Sequence, residues 1–383
     1  MTSIDNFPSL QESDRVRSQQ VTDSVISAIN AKKDGVIGFD EYMRIVLYMP
    51  NLGYYDAENE IFGGRGDFVT GPTSGELFSK CVANEVKSIL SVTEGDIFEF
   101  GAGDGSLINN ICKELECHSD SPKFKYHVIE PNKAMRQRQQ ETIRGRSGQF
   151  FWHEKVPEEP LNGVIIANEV LDAMPAARYL VNEGEVEEMG VGYLEPSLLW
   201  KKKNGVVPEE IVRALKNYNS GYQTEKILDL DLWLGSVFES ANRIVLLVID
   251  YGYPGKEFLR PDRFSGTLKC HFRHTRNVDP FFLPGLQDIT TSLNYSDLAR
   301  CATDIGFNLL GYTTQERFLV NNKVEAFFSE SFNKDSVEQY RIAQEVKRLL
   351  LPTEMGHYMK VMALGKNFDG ALNGFQSDEC FRL

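Results

Sequence analysis

A short apolar strand that runs into three glycines at alternate positions commits a chain to a strand, a tight turn and a helix. Residues 96–105, Asp-Ile-Phe-Glu-Phe-Gly-Ala-Gly-Asp-Gly, are such a run. Asp96 to Phe100 read as a buried strand, Gly101, Gly103 and Gly105 as the turn, and Ser106 as the start of the helix. Glycine has no Cβ and tolerates positive φ, so backbone at such a turn can come close to a ligand. The spacing is G-x-G-x-G with Glu99 closing the strand, whereas dinucleotide-binding turns read G-x-G-x-x-G and set a pyrophosphate on the helix N-terminus. A carboxylate beside the ligand suits a cation better than a pyrophosphate. S-adenosylmethionine (SAM) carries a sulfonium and an ammonium, and is the cofactor this stretch suggests.

The turn opens an alternating pattern. A helix over 106–116 is followed by a strand at Lys125–Glu130, a helix from Asn132 to about Arg144, a short strand at Gln149–Trp152 and a strand at Gly163–Ala167. Ile244 to Asp250, Ile-Val-Leu-Leu-Val-Ile-Asp, is the most apolar β-type run and is expected as a central parallel strand. Strands alternating with helices imply a mostly parallel, Rossmann-like α/β sheet with helices on both faces. The segment between the fourth strand and Ile244 is too long for one crossover helix. Within it, Arg178 to Met189 alternate around Asn182-Glu183-Gly184, which predicts a β-hairpin. Helices are expected at Pro208–Asn217 and Leu228–Asn242, and later at Tyr295–Ile305 and Val337–Leu350, with strands at Phe307–Thr313 and Tyr358–Leu364. Upstream, 11–30 and Phe39–Leu47 read as helices, the second with Phe39, Met43, Ile45, Val46 and Tyr48 near helical spacing, before a Gly-rich loop from Gly53 to Gly75.

The formal net charge of −14 argues against a nucleic-acid surface, which needs clustered Lys and Arg, and favours a basic partner such as an arginine-bearing peptide. Six cysteines without C-x-x-C pairs read as reduced thiols. With neither a signal-peptide core nor a spanning apolar run, the expectation is a soluble protein in the cytoplasm, without membrane insertion. An oligomer is compatible with the amphipathic N-terminal helices.

Glu130 ends the second strand, where an acid can accept two hydrogen bonds from a ribose diol. Asn168-Glu169-Val170-Leu171-Asp172-Ala173-Met174-Pro175 follows the next long strand, at the carboxyl edge where open α/β sheets bind ligands. One turn of helix there would put Glu169 and Asp172 on the same side. Methyl transfer leaves the acceptor with one proton too many. A guanidinium acceptor is always charged and must be held so that one nitrogen faces the methyl. Paired carboxylates can do both, by bidentate hydrogen bonding and by accepting charge. Glu169 and Asp172 are therefore the catalytic candidates, with Asn168 on the cofactor side. Gly66-Asp67-Phe68-Val69-Thr70 is expected to fold over the cofactor, with Asp67 or Thr70 near its methionine end. Cys270-His271 and His274 lack the spacing of a zinc motif and read as a loop with incidental histidines, so no metal is expected.

In order along the chain, Gly53-Tyr-Tyr55, Gly66-Asp-Phe-Val-Thr70, Glu99-Phe-Gly-Ala-Gly-Asp-Gly105, Ala167-Asn-Glu-Val-Leu-Asp-Ala-Met-Pro175, Asp250-Tyr-Gly252, Gly285-Leu-Gln-Asp-Ile-Thr290 and Met355-Gly356 resemble the MidA family. The match runs from about Phe39 to Leu364. The family comprises SAM-dependent methyltransferases and includes a mitochondrial complex I assembly factor. The resemblance implies a class I methyltransferase core over 95–383, with insertions at about 176–243 and 314–356, behind an N-terminal helical extension and cofactor-covering loop over 1–94. It also implies a protein arginine acceptor, a respiratory complex I subunit in the mitochondrial member, and the mitochondrial matrix for a eukaryotic homologue. Two departures stand out. Thr70 is followed by Gly71-Pro72-Thr73 where the family has Ala-Pro-Glu, and Leu293-Asn294-Tyr295 replaces Val-Asp-Phe. The missing loop glutamate keeps open a SAM-binding scaffold without turnover, and a small-molecule acceptor stays open as well.

Overall fold

The computed structural model describes residues 10–55, 75–117, 121–273, 275–329 and 335–383. They fall into two compact units. One contains 75–171, Leu230–Gly255 and Leu293–Leu383, and the other 10–55, Asp172–Asp229 and Lys256–Ser292.

The first unit is built on an eight-stranded sheet. Its strands are β2 (Asp96–Phe100), β3 (Tyr126–Ile129), β4 (Phe150–His153), β5 (Leu161–Asn168), β10 (Ala241–Tyr253), β14 (Leu293–Asn294), β15 (Asn308–Thr314) and β16 (Met359–Lys366). Their order is β15-β16-β10-β5-β2-β3-β4, with β14 beside β10. β4, β3, β2, β5 and β10 pair in parallel, while β16 runs antiparallel between β10 and β15. The sequence expectation of a mostly parallel sheet holds. Ile244 to Ile249 of β10 are fully buried, as a strand covered on both faces must be.

Side chains alternate across that sheet. Ile97, Val164, Ile166, Leu247 and Ile249 pack under helices α3 (Leu77–Thr93) and α4 (Ser106–Glu116), whose apolar stripes include Val82, Val86, Ile89, Leu107 and Ile111. On the opposite face Phe100 meets Trp233 of α7 (Leu230–Ser240), ring centroids 5.2 Å apart. Helix α5 (Lys133–Thr142) connects β3 to β4. Helix α8 (Tyr295–Ile305) is capped by Asn294, whose side chain accepts from Asp297 N. The Asn at that position thus serves as a helix cap, as Asp would.

The second unit gathers α1 (Glu12–Ala31) and α2 (Phe39–Tyr48) around a five-stranded sheet of β1 (Val36–Gly38), β6 (Ala176–Asn182), β7 (Glu185–Leu194), β8 (Ser197–Lys202) and β9 (Gln223–Ile227). The expected hairpin is β6–β7. Its two loop residues, Glu183 and Gly184, have φ of 49° and 87°, the left-handed pair that a two-residue hairpin turn requires. Val36–Gly38 pair antiparallel with Gly190–Gly192 of this hairpin. The buried face of α2 is Phe39, Tyr42, Met43, Val46 and Leu47. Ile45 is only partly buried and Tyr48 is exposed, so the stripe lies one residue away from the expected one at its middle and end. A small sheet of β11 (Lys269–Phe272), β12 (Thr275–Asn277) and β13 (Asp288–Thr290) completes the unit, together with α6 (Glu209–Leu215). Arg178 and Glu225 form a buried ion pair at 2.8 Å, and Thr267 donates its N–H and hydroxyl to the other carboxylate oxygen.

Candidate functional site

The carboxyl ends of β3, β2, β5 and β10 lie side by side, because Phe100 pairs with both Ile129 and Ala167, and Asn168 pairs with Ile249. Gly101, Glu130 and Glu169 follow three of these ends, and Asp250 closes in beside them on β10. This is the edge at which an open α/β sheet offers backbone to a ligand.

The glycine turn has the geometry its spacing predicts. Gly101, Gly103 and Gly105 have φ of 57°, 54° and 85°, all in the left-handed region open to glycine. Gly101 N donates to Ile129 O at 3.1 Å and Gly105 N to Ala102 O at 2.9 Å, which fold the turn tightly against β3. A Cβ on Gly105 would lie 3.2 Å from Gln139 Cα and 3.3 Å from Thr142 Cβ, so α5 packs directly on the turn. Thr142 Oγ1 donates to Asp104 O at 2.6 Å.

Glu130 is buried beneath the same turn. Its Oε1 accepts from Asn132 N at 3.0 Å and its Oε2 from Gln139 Nε2 at 3.2 Å. Asn132 also caps α5 by accepting from Met135 N, so one short segment sets both the helix start and the acid. Glu99 lies on the helix-covered face of β2, with Ile97, where Tyr126 Oη donates to its Oε2 at 2.6 Å. Burial pushes the Glu99 carboxyl up to about 8. The Tyr126 bond opposes that shift, and the charges of Asp104 and Glu130 add to it.

After β5 the chain leaves the sheet without the expected helical turn. Glu169 adopts a φ of 52°, and no residue between 169 and 175 is helical. Two bonds to β10 impose this path: Glu169 N donates to Ile249 O at 2.9 Å, and Leu171 N to Asp250 Oδ2 at 3.0 Å. Asp250 is fully buried, and its other oxygen accepts from Tyr251 N. Asn168 Nδ2 donates to Glu169 Oε1 at 3.3 Å, while Asn168 Oδ1 is buried without a hydrogen-bond partner among the described residues. Asp172 begins the next segment of the other unit, where it is 7% exposed and its carbonyl accepts from Thr291 N at 2.8 Å. In that unit Tyr55 Oη donates to Asp288 Oδ1 at 2.6 Å, and Tyr48 Oη to Ala173 O at 2.8 Å.

Asp67 and Thr70 lie outside the described residues. Cys270 and His271 sit in strand β11 rather than in a loop, and burial, with Lys269 and Arg276 beside it, lowers the His271 pKa to about 4. Among the described residues no group of three or more His, Cys, Asp or Glu is placed to hold a metal ion.

Residues 77–313 match the family model of S-adenosyl-L-methionine-dependent methyltransferases, more than half of the chain. The chain belongs to this family. It is similar to a crystal structure from Burkholderia thailandensis bound to S-adenosyl-homocysteine, with 31% identity, a TM-score of 0.91, and coverage of 99% of this chain and 100% of that one. Curated relatives include the mitochondrial protein arginine methyltransferase NDUFAF7 of Danio rerio, 26% identical over 88% of this chain and 86% of its own length. The Drosophila melanogaster homologue is 25% identical over 88% of this chain and 83% of its own. The fold is thus a class I methyltransferase fold and the cofactor is SAM. The residues present fit it: a turn of three glycines at positive φ, a buried acid beside the turn, and an unpartnered amide oxygen on Asn168 at the same sheet edge. Among the described residues no helix is long and apolar enough to cross a membrane.

Gln139 and Trp152 carry this geometry and were not singled out by sequence, and Asp250 stood out only as the start of the Asp250-Tyr-Gly252 motif, with no role attached. For Gln139 a signal exists: Met135 and Gln139 are the two buried residues of α5, so its buried stripe continues from an apolar residue into an amide.

Proposed function

We propose that this methyltransferase methylates arginine on a protein substrate, with Glu169 as the carboxylate that holds the guanidinium. The observation that carries the reading is the placement of Glu169 at the carboxyl end of β5, on the edge that bears the glycine turn, in a left-handed conformation fixed by β10. Bound SAM supplies an electrophilic methyl on a sulfonium. The chain's own work is to orient and to move a proton. Glu130 accepts the ribose hydroxyls, the turn at Gly101–Gly105 brings backbone against the cofactor, and Asn168 offers its amide oxygen. Asp67 and Thr70 are proposed to cover the methionine end. Glu169 binds the planar guanidinium and takes up the proton that its nitrogen loses on methylation. Glu99 lies under the turn as a neutral acid at pH 7, and a cation bound above it favours its ionised form.

The relatives' names as protein arginine methyltransferases support the acceptor class. The family resemblance extends it to a respiratory complex I subunit, and the relatives' mitochondrial names support a mitochondrial location for a eukaryotic member of this group. The test is incubation of wild type and Glu169→Gln with methyl-labelled SAM and host lysate. The expected result is a labelled protein band that disappears in the variant and yields methylarginine on hydrolysis. A band that persists in the variant refutes the role of Glu169, and label confined to small molecules refutes the protein acceptor.

A further inference from the structure

Gln139 is fully buried, and three of its four hydrogen-bonding positions are filled by groups of fixed polarity. Its Nε2 donates to Gly103 O at 3.1 Å and to Glu130 Oε2 at 3.2 Å, and its Oε1 accepts from Trp152 Nε1 at 3.0 Å. A carbonyl and a carboxylate can only accept, and an indole N–H can only donate, so the orientation of the amide follows from its partners. Glu130 is thus gripped from two sides, by Gln139 at one oxygen and by Asn132 N at the other.

We infer that Gln139 is a positioning residue of the cofactor site. It ties the carbonyl of the central turn glycine and one oxygen of Glu130 to a single amide. In doing so it fixes the distance between the backbone that meets the cofactor and the acid that reads the ribose. Trp152, on the neighbouring strand, holds the amide against flipping. The inference rests on the reading of Glu130 as the ribose acceptor. An acid gripped at both oxygens presents its carboxylate in a fixed orientation, so its preference for a diol depends on both grips. Replacing Gln139 by Glu would set a carboxylate against a carbonyl and a second carboxylate. Once protonated it could donate to one of them again.

The test is calorimetric titration of full-length wild type, Glu130→Ala, Gln139→Leu and Gln139→Glu with S-adenosylhomocysteine and with its 2′-deoxy analogue. Wild type is expected to prefer the ribose form. Gln139→Leu should weaken binding of the ribose form about tenfold and leave the deoxy form within about twofold, the loss of one charge-assisted hydrogen bond's worth of orientation. Gln139→Glu should lose the preference at pH 8 and regain part of it near pH 5, which also serves as the readout if the leucine variant does not fold. If Glu130→Ala keeps the wild-type preference, the ribose reading fails and the inference fails with it. If Glu130→Ala loses the preference while both Gln139 variants keep it, the ribose reading stands and Gln139 is merely structural.

Discussion

Replacing Glu99 by Gln separates the charge of this buried acid from its shape. In the unfolded chain the carboxyl titrates near 4.5, and in the folded chain burial raises it to about 8. The folded state therefore keeps a proton through a window in which the unfolded state has lost it. This group's contribution to stability is complete below about 4.5 and is lost as pH rises through about 8. Inside the window each pH unit costs about 1.4 kcal/mol, so the step from pH 6 to pH 7.5 removes about 2 kcal/mol. Glutamine can still accept from Tyr126 but cannot ionise, so whatever its fixed offset, it removes the slope. The assay is urea unfolding of both proteins at pH 6 and 7.5, followed by fluorescence. Wild type should lose about 2 kcal/mol more than the variant between the two conditions. Parallel pH dependences would refute the claim that this carboxyl is buried and neutral in the native state.

The same acid links pH to ligand. SAM, being cationic, should bind wild type more tightly at pH 8.5 than at pH 6.5, and Glu99→Gln should flatten that difference in a calorimetric titration. Gly105→Ala should destabilise the turn by about 2 kcal/mol, because alanine at a φ of 85° is strained and its Cβ meets the backbone of Gln139 at 3.2 Å. A lowered melting temperature and weaker SAM binding check this, and an unchanged pair of values would contradict it. Arg178→Ala should cost about 3–5 kcal/mol by stranding the buried Glu225 carboxylate, and the double variant Arg178→Met, Glu225→Leu should recover most of it in chemical denaturation.

The parts of the fold that were legible in the sequence are those whose signal is local. Ile244–Asp250 could only be a buried strand, the alternate glycines could only turn, and Asn182-Glu183-Gly184 placed a hairpin that the structure contains. What escaped is what depends on distant partners. Val36–Gly38 carry no strand signal of their own and become a strand by pairing with Gly190–Gly192. In α2 the alternatives Ile45 and Leu47 are equally apolar, and only the packed core selects Leu47. The segment after Asn168 had acids at helical spacing, but the bonds from Glu169 N and Leu171 N to β10 override the local tendency and hold Glu169 left-handed. Gln139 stood in a helix of polar residues, and its importance lies in Gly103, Glu130 and Trp152, none adjacent to it in the chain.

The cofactor site at the glycine turn is the claim on which the others depend, and titration calorimetry of SAM into the wild-type chain and into Glu130→Ala measures it most directly. The predicted result is saturable one-to-one binding to wild type, weakened about 10- to 100-fold in the variant as the ribose loses its charged acceptor. No heat from a folded wild-type sample, or equal affinity in the two proteins, would contradict it.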